Sequence, residues 1–231
     1  MKSDNLVLRG QTEEHVMPWG SENARIHQGM SVALTSLSDA LKKNGFELGI
    51  ASSFRSFEAQ LKIWNAKATG QRPLLDSQAK PLEFSKLTPK EIVSSILRWS
   101  ALPGLSRHHW GTDLDVYDRK SLPEGYQVQL IPSEFEGQGY FSKMHQWLDQ
   151  NMEQYGFFRP YAKDLGGVSP ERWHISYAPL ADKFLKSHSV ILIEQVIKIT
   201  PIELKETILS DIETIFSQYF LNVNLLKPQN G

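Results

Sequence analysis

The chain has 231 residues, enough for one large domain or two small ones with a sizeable hydrophobic core. Its 25 basic and 26 acidic residues leave a formal net charge of -1 at pH 7, so no net positive field attracts nucleic acid or anionic lipid, and neither is expected as a partner. The absence of cysteine excludes disulfides, thiolate nucleophiles and cysteine-based metal sites, which leaves His, Asp and Glu as the plausible metal ligands.

The first residues, Met1 to Gly10, lack the apolar stretch of about 7–15 residues that a secretory signal requires. No run reaches the roughly 18 apolar residues needed to cross a bilayer, so we expect no membrane span. The compartment stays open: cytoplasmic for the sequence as it stands, or periplasmic or cell-wall if a leader has been removed.

The first part of the chain carries alternating helix and strand signals. Apolar residues recur at helical spacing over 24–44 and are followed by an Asn-Gly pair, which predicts a core helix. Residues 46–51 alternate apolar with small or polar side chains, as in a short strand. A second helix is expected from Ser56 onward.

A long connection from 69 to 104 contains four prolines and the stretch Thr-Pro-Lys-Glu, which begins at Thr88. A Thr N-cap, a Pro at the first helical position and an acid at the third predict a helix over 89–100.

The second half of the chain is predicted as a strand over 111–117, an amphipathic helix over 141–155 and a last short strand over 173–177. Beyond Pro179 the apolar runs are unbroken by glycine, which indicates a tail of helix that could include strand.

Chemistry-bearing residues concentrate in two short polar segments, 106–115 and 171–177. A catalytic zinc ion takes three nitrogen or oxygen ligands, commonly two His and one carboxylate, and leaves its fourth position to water. The two segments together can supply that set. Because residues two apart share one face of a strand, geometry favours Asp115 over Asp113 as the carboxylate only weakly.

Glu171 lies three residues before His174 and could reach a metal-bound water without being a ligand, as the general base of a metallopeptidase does. Each residue also has a structural alternative. The histidines could be hydrogen-bonded packing residues, Asp115 a turn or cap residue, and Arg55 a solvated surface charge. Spacing alone does not choose between these alternatives.

The pattern Ser-x-His-x-x-Gly-x-x-x-Asp from Ser106 to Asp115, followed by Glu-x-Trp-His-x-x-Tyr from Glu171 to Tyr177, resembles the VanY-type zinc D-alanyl-D-alanine carboxypeptidases. The resemblance extends over roughly residues 25–180.

Two further segments are similar to the same family. The stretch 53–57 with Gln60 matches its Ser-Gly-Tyr-Arg-Ser-x-x-x-Gln segment, and 147–157 resembles the helix and Tyr-Gly-Phe turn before its last motif.

The resemblance implies an α+β fold, shared with lysostaphin-type peptidases and hedgehog domains, in which a small antiparallel sheet carries a zinc site and is flanked by helices. It implies one zinc per chain, held by His108, Asp115 and His174. The zinc peptidase domain is then 1–181, and 182–231 is a C-terminal extension that we expect to pack on the same domain.

The resemblance also gives roles to the remaining site residues. Glu171 falls on the family's catalytic base, and Arg55 falls on its substrate arginine, which would stabilise the developing oxyanion. Gln60 and Ser106 are candidates to bind the substrate's carboxylate or backbone. For His109, a neighbour of the site, we prefer a role in packing or in supporting a ligand.

Three features depart from the family pattern. Asp113 stands where a small residue, commonly Ala, is usual, and we expect it to tune the site without being a ligand. Phe54 replaces a Tyr. The connection 61–105 is longer than is typical, and such insertions often form a rim that selects substrate.

These residues predict a D-alanyl-D-alanine carboxypeptidase that hydrolyses peptidoglycan-type stem peptides. An L,D-carboxypeptidase, an L-Ala–D-Glu endopeptidase and a zinc-binding module without catalysis remain as alternatives. The intact Glu171 argues against the last, since a purely structural zinc site needs a fourth ligand and no base.

Overall fold

The computed structural model describes residues 2–20 and 24–226, so the last five positions of the predicted C-terminal extension lie outside the described residues. The helices are α1 (Lys2–Leu8), α2 (Ser31–Lys43), α3 (Phe57–Ala68), α4 (Pro89–Leu97), α5 (Pro132–Phe135), α6 (Ser142–Asn151), α7 (Ala178–Ser187), α8 (Val190–Ile199), α9 (Lys205–Ser210) and α10 (Ile212–Ile215). The strands are β1 (Val16–Trp19), β2 (Ala24–His27), β3 (Leu48–Ser52), β4 (Asp113–Asp118), β5 (Phe157–Phe158) and β6 (His174–Tyr177). Short helical turns cover Gln28–Met30, Phe84–Lys86, Arg107–Trp110, Arg119–Ser121, Met152–Tyr155 and Phe216–Leu221.

A four-stranded antiparallel sheet in the order β3-β4-β6-β5 forms the centre of the fold, and β1 and β2 pair as a separate hairpin. The register places Asp115 of β4 opposite Ser52 on one side and opposite His174 on the other. The expected α+β architecture, a small antiparallel sheet flanked by helices, is confirmed.

Every residue of β4 is buried, although the strand carries three aspartates. Leu114 and Val116 belong to the hydrophobic cluster that α2 and α6 form over the sheet. Asp113 and Asp115 alternate with them and therefore project to the opposite face. Since a buried carboxylate is stable only with hydrogen-bond or charge partners, this face of the sheet must supply them.

The helix predicted over 24–44 is wrong in its first part. Residues 24–27 form β2, with Ala24 and Ile26 buried and Arg25 and His27 half-buried, and α2 begins only at Ser31. Ile26 fits a helical stripe as well as a strand alternation, and pairing with β1 decides the outcome. The other predicted helices and strands are present, with ends shifted by a few residues.

The described part of the C-terminal segment consists of helices joined by short non-helical stretches, without a strand, and it shares a hydrophobic cluster with α3 and α4. Ile193, Ile197 and Ile208 pack there with Trp64 of α3 and with Trp110. No helix in the described ranges is long and apolar enough to cross a membrane.

Candidate metal centre

Three side chains converge on the polar face of the sheet. One ligand atom from each of His108, Asp115 and His174 lies within 4.8 Å of the other two, and all three residues are buried. Asp115 is central in β4 and His174 is its direct neighbour at the start of β6. His108 lies in the helical turn that ends at Gly111, whose φ of 67° suits glycine.

The orientation of His108 leaves one ring nitrogen facing Asp115. Its Nδ1 lies 3.0 Å from the carbonyl oxygen of Ser53, and because a carbonyl only accepts, Nδ1 carries the proton. Its Nε2 faces the centre and lies 3.4 Å from Oδ2 of Asp115.

His174 faces the centre with Nδ1, whereas His108 faces it with Nε2. Its Nε2 lies 2.9 Å from Oδ1 of Asp113 and donates to that carboxylate. Its Nδ1 lies 3.2 Å from Oδ1 of Asp115 and 3.5 Å from Oε2 of Glu171. The two histidines therefore face the same point, His108 through Nε2 and His174 through Nδ1.

These residues fit a zinc ion. Oδ1 of Asp115 and Nδ1 of His174 are buried, and neither makes a hydrogen bond within the described structure. Two lone-pair donors placed side by side in a buried site call for a cation between them. Tetrahedral zinc with ligands at about 2.0–2.2 Å separates its ligand atoms by roughly 3.4 Å, and the contacts to Asp115 measure 3.2 and 3.4 Å.

Without a metal, the same geometry favours a proton. Burial acts to lower the pKa of His174, but the carboxylates of Asp113, Asp115 and Glu171 outweigh it and raise the pKa well above the ordinary value. Burial acts to raise the pKa of Asp115, but His108 and His174 outweigh it, and the pKa lies well below the usual range. The carboxylates of the centre thus favour positive charge between them.

Asp113 orients His174 by accepting from Nε2, the ring nitrogen that faces away from the centre. Its Oδ1 also accepts from Nε of Arg107 at 2.7 Å, and its Oδ2 accepts from the hydroxyls of Thr112 at 2.8 Å and Ser176 at 3.0 Å. The residue is fully buried, and the Arg107 guanidinium outweighs burial and holds its pKa well below the usual range. Both carboxylate oxygens are occupied, as suits a residue that orients a ligand.

Glu171 stands at the open side of the centre. Its side chain is 13% exposed and lines a cavity of about 380 Å³ that also exposes His108, Asp115 and His174. Its backbone N–H donates to the carbonyl of Tyr161, whose ring packs edge-on against His174 with centroids 4.9 Å apart.

Arg55 lines the same cavity and is held by neutral partners. It donates from Nη1 to Oε1 of Gln60 and from Nη2 to Oγ of Ser52, both at 2.8 Å. Burial lowers the pKa of Arg55, whereas the negative charges of Asp115 and Glu171 raise it. Arg55 is thus a cation aimed at the cavity.

The two predicted substrate-binding residues occupy different places. Gln60 is fully buried and is absent from the cavity lining; its amide donates to the carbonyl of Ala101 at 2.7 Å and accepts from Arg55. Ser106 does line the cavity.

His109 points away from the centre and joins two loops. Its Nδ1 donates to the carbonyl of Arg55 at 2.7 Å, and its Nε2 accepts from the N–H of Gly104 at 3.0 Å. Burial lowers its pKa to about 3, so the ring is neutral at pH 7. Gly10 packs so closely that an added Cβ would lie 2.4 Å from the His109 ring.

The cavity contains residues that the sequence interpretation did not single out. The long connection 61–105 contributes Lys67, Arg72 and Trp99, and a second loop contributes Leu130 and Ile131. The sequence does contain a feature that could have predicted Lys67 as a site residue. Lys67 lies seven residues after Gln60 on the same helix, so the two residues share a helix face.

A buried carboxylate orders the second loop. Glu134 accepts from the hydroxyl of Tyr126 at 2.7 Å and from the backbone N–H groups of Gln129 at 2.8 Å and Ile131 at 3.2 Å. The loop is therefore held in one conformation as part of the cavity wall. No motif in the sequence indicates this position.

A family model described as VanY, D-alanyl-D-alanine carboxypeptidase, matches residues 23–180, which is more than half of the chain. The chain belongs to the VanY family. It is accordingly a peptidase of the carboxypeptidase class. The matched range includes the three clustered residues, Glu171 and Arg55.

Relatives of this VanY family member cover different shares of the chain. An uncharacterized protein of Haemophilus influenzae is 37% identical over 118 residues, which are 50% of this chain and 90% of that protein. A D-alanyl-D-alanine carboxypeptidase of Enterococcus faecalis is 25% identical over 178 residues, which are 76% of this chain and 56% of that enzyme. The chain thus spans about half the length of the latter.

The fold is also that of a solved VanY structure. VanYB in complex with D-alanine–D-alanine superimposes with a TM-score of 0.53 at 23% identity, covering 80% of this chain and 89% of that one. A likeness at this identity establishes a shared fold.

Proposed function

We propose that this protein is a zinc-dependent D-alanyl-D-alanine carboxypeptidase that removes the C-terminal D-Ala from peptidoglycan-type stem peptides. The observation that carries the proposal is the buried cluster of His108, Asp115 and His174, with Glu171 at 3.5 Å from His174 and open to the same cavity.

One zinc ion per chain would be held by Nε2 of His108, Nδ1 of His174 and the carboxylate of Asp115. Zinc at such a site supplies Lewis-acid chemistry, since it polarises a peptide carbonyl and lowers the pKa of a water molecule. The three ligands leave the cavity side open, as a catalytic site requires.

Glu171 is the general base in this proposal. Its carboxylate is close enough to the centre to accept a proton from water, yet it is not one of the three clustered ligands. The same carboxyl group would then deliver the proton to the leaving amine.

Arg55 would stabilise the negative charge that develops on the scissile carbonyl oxygen. A preorganised donor of this kind is typically worth about 2.7–4 kcal/mol in acyl transfer. Gln60 and Ser52 fix its guanidinium, so Gln60 would act on the substrate through Arg55. Ser106, on the cavity wall, would bind the substrate's carboxylate or backbone directly.

Mass spectrometry of tri-, tetra- and pentapeptide stems incubated with the zinc-loaded protein tests the proposal. We expect the pentapeptide alone to lose one D-Ala. Loss of D-Ala from the tetrapeptide would identify an L,D-carboxypeptidase, and internal cleavage would identify an endopeptidase. If all three peptides stay intact, the alternative that remains is a zinc-binding module without catalysis.

A further inference from the structure

Two cations face the cavity without a carboxylate partner. Lys67, in the last turn of α3, is half-buried and donates from Nζ to Oγ of Ser100 at 2.7 Å. Arg72 is exposed at the rim of the same cavity. Within the part of the chain that the structure describes, no ion pair joins either residue to an acidic side chain.

The charges of the cavity wall do not balance. Its cations are Arg55, Lys67, Arg72 and Arg107, and its carboxylates are Asp115 and Glu171. Arg107 is paired with the buried Asp113. The charge of Asp115 is directed to the two histidines of the metal centre. Glu171 alone therefore faces three cations, and the cavity is suited to an anion.

The pKa of Lys67 is also that of a cation without an acidic partner. Burial lowers its pKa to about 8; the charge of Glu171 acts in the opposite direction, and Arg72 and Arg55 lower the pKa further. The ammonium group is still protonated at pH 7, but it is poorly solvated and surrounded by like charge. An incoming anion would relieve both effects.

The position of Lys67 relative to Arg55 determines which part of a bound peptide Lys67 can contact. Gln60, which holds Arg55, lies seven residues earlier on α3, and at 1.5 Å per residue the two positions are about 10 Å apart along the helix axis. An extended peptide advances about 3.3 Å per residue. The backbone positions of Gln60 and Lys67 are therefore about three residues of extended peptide apart, and Arg72 lines the same cavity.

Apolar side chains surround this end of the cavity. Ile63, Leu75 and Trp99 line the same cavity as the two cations. Because water is partly displaced there, an ion pair formed with substrate is stronger than on an open surface.

We propose that Lys67 and Arg72 form an anion subsite that binds a carboxylate of the peptide substrate, separate from the group that Arg55 stabilises. This inference rests on the proposed peptidase function. Stem peptides offer two such groups, the free C-terminal α-carboxylate and the side-chain carboxylate of a diaminopimelic acid residue, and the experiment distinguishes them.

The test is calorimetric binding to the zinc-loaded Glu171→Gln protein, in which the peptide is not consumed. The probes are the pentapeptide with diaminopimelic acid at its third position, the same peptide as a C-terminal amide, and the same peptide with L-Lys at the third position. Each is titrated into the parent and into its Lys67→Met, Lys67→Arg and Arg72→Gln derivatives. Lys62→Met, an exposed lysine on the same helix but outside the cavity, is the matched control.

We expect Lys67→Met to weaken binding of the full pentapeptide about 10- to 100-fold, the usual range for one charge-assisted hydrogen bond. Arg72→Gln should weaken binding less because that residue is exposed. Lys67→Arg should stay within about threefold, and Lys62→Met should have no effect. The peptide that lacks the bound carboxylate should bind Lys67→Met and the parent equally, which identifies that carboxylate as C-terminal or side-chain.

The subsite is overturned if Lys67→Met binds as Lys62→Met does, or if the parent binds all three peptides equally. Turnover by the wild-type protein is measured separately with the same peptides. Carboxylate-dependent binding through Lys67 without any hydrolysis would overturn the proposed function alone. Hydrolysis with no carboxylate dependence would overturn the subsite alone.

Discussion

At the residue scale, the centre is defined by which atom of each side chain already has a partner. The carbonyl of Ser53 fixes His108 and the carboxylate of Asp113 fixes His174, so each ring has one nitrogen left for the centre. Glu171 is not one of the three clustered residues: its Oε2 lies 3.5 Å from Nδ1 of His174 and its side chain lines the cavity, which is why we propose it as the base.

Glu171→Gln should retain zinc and lose most of the peptidase activity, because it removes proton transfer, typically worth about 10²- to 10⁴-fold, without removing a ligand. The measurement is kcat together with zinc content by elemental analysis. Wild-type rates in the zinc-loaded variant would contradict the assignment of Glu171 as base.

Asp113→Ala should keep one zinc per chain but bind it about 10- to 100-fold more weakly, because His174 loses the acceptor that orients it. Asp115→Ala should lose the zinc. Competition with a chelator measures both affinities. An exchange of these two results would make Asp113 the ligand.

Because Asp113→Ala also leaves the buried Arg107 unpaired, Asp113→Asn serves as the second variant. It keeps one acceptor oxygen for the ring and for Arg107 and removes the charge, while its NH2 group donates to the hydroxyls of Thr112 and Ser176, which now accept. It should therefore fold normally and bind zinc more tightly than Asp113→Ala does.

At the element scale, α3 connects the cavity to the hydrophobic core. Ser56 caps it by accepting from the N–H of Ala59 at 3.2 Å, and its first turn carries Gln60, which holds Arg55. The cap of α4 at Thr88 forms a complete capping box but supports no residue of the metal centre.

Ser56→Ala and Thr88→Ala should each lower the free energy of unfolding by about 1 kcal/mol through loss of an N-cap. Only Ser56→Ala should also lower kcat/KM, because it loosens the turn that positions Arg55. Chemical denaturation and steady-state kinetics on both variants check this pair. Equal loss of activity in the two would show that α3 has no special connection to the site.

At the scale of the whole molecule, the C-terminal helices complete the core that supports the site. Ile208 of α9 is fully buried in the cluster that contains Trp64 and Trp110, whereas Ile199 at the end of α8 is 85% exposed. The boundary at 181 stays a prediction about domains, but the described part of the extension is packed on the rest of the chain.

Ile208→Ala should therefore destabilise the protein by about 2–5 kcal/mol, the usual cost of truncating a buried isoleucine. Ile199→Ala, in the same extension, should change stability by less than about 0.5 kcal/mol. Urea unfolding measures both. Similar small effects would mean that the extension is not part of the cooperative unit.

The stability of the zinc-free protein should pass through a maximum near pH 6.5. Burial depresses the pKa of His109 to about 3 and that of His145 well below its ordinary value, so below pH 6.5 the unfolded chain binds protons that the folded chain does not, and stability falls with pH. His174, with its pKa raised by three carboxylates, has the opposite sign: its contribution is present below about pH 6.5 and is lost as pH rises through its folded value.

Each unit difference in bound protons changes the free energy of unfolding by about 1.4 kcal/mol per pH unit. Urea unfolding at pH 5.0, 6.5 and 8.5 in the presence of chelator measures the profile. Zinc-loaded protein should lose the alkaline decline, since a metal ligand has no proton to release. A steady rise to pH 8.5 in the zinc-free protein would show that His174 is not protonated there.

The sequence by itself determined the local features. Capping residues and apolar spacing give α3 and α4, alternation gives β4 and β6, and the two polar segments contain all three clustered ligands and Glu171. Each of these depends on neighbours within a few residues, so the information is contiguous in the chain.

Only the tertiary structure decided what depends on strand pairing and on contacts between distant segments. The register that puts Asp115 opposite His174 aims Asp113 at the far nitrogen of the same ring, and spacing could not separate the two carboxylates. Residues 24–27, predicted as helix, form a strand because they pair with β1. Lys67 lies in the cavity wall because α3 packs beside the cavity. Side chains many residues apart meet only when the sheet and helices pack.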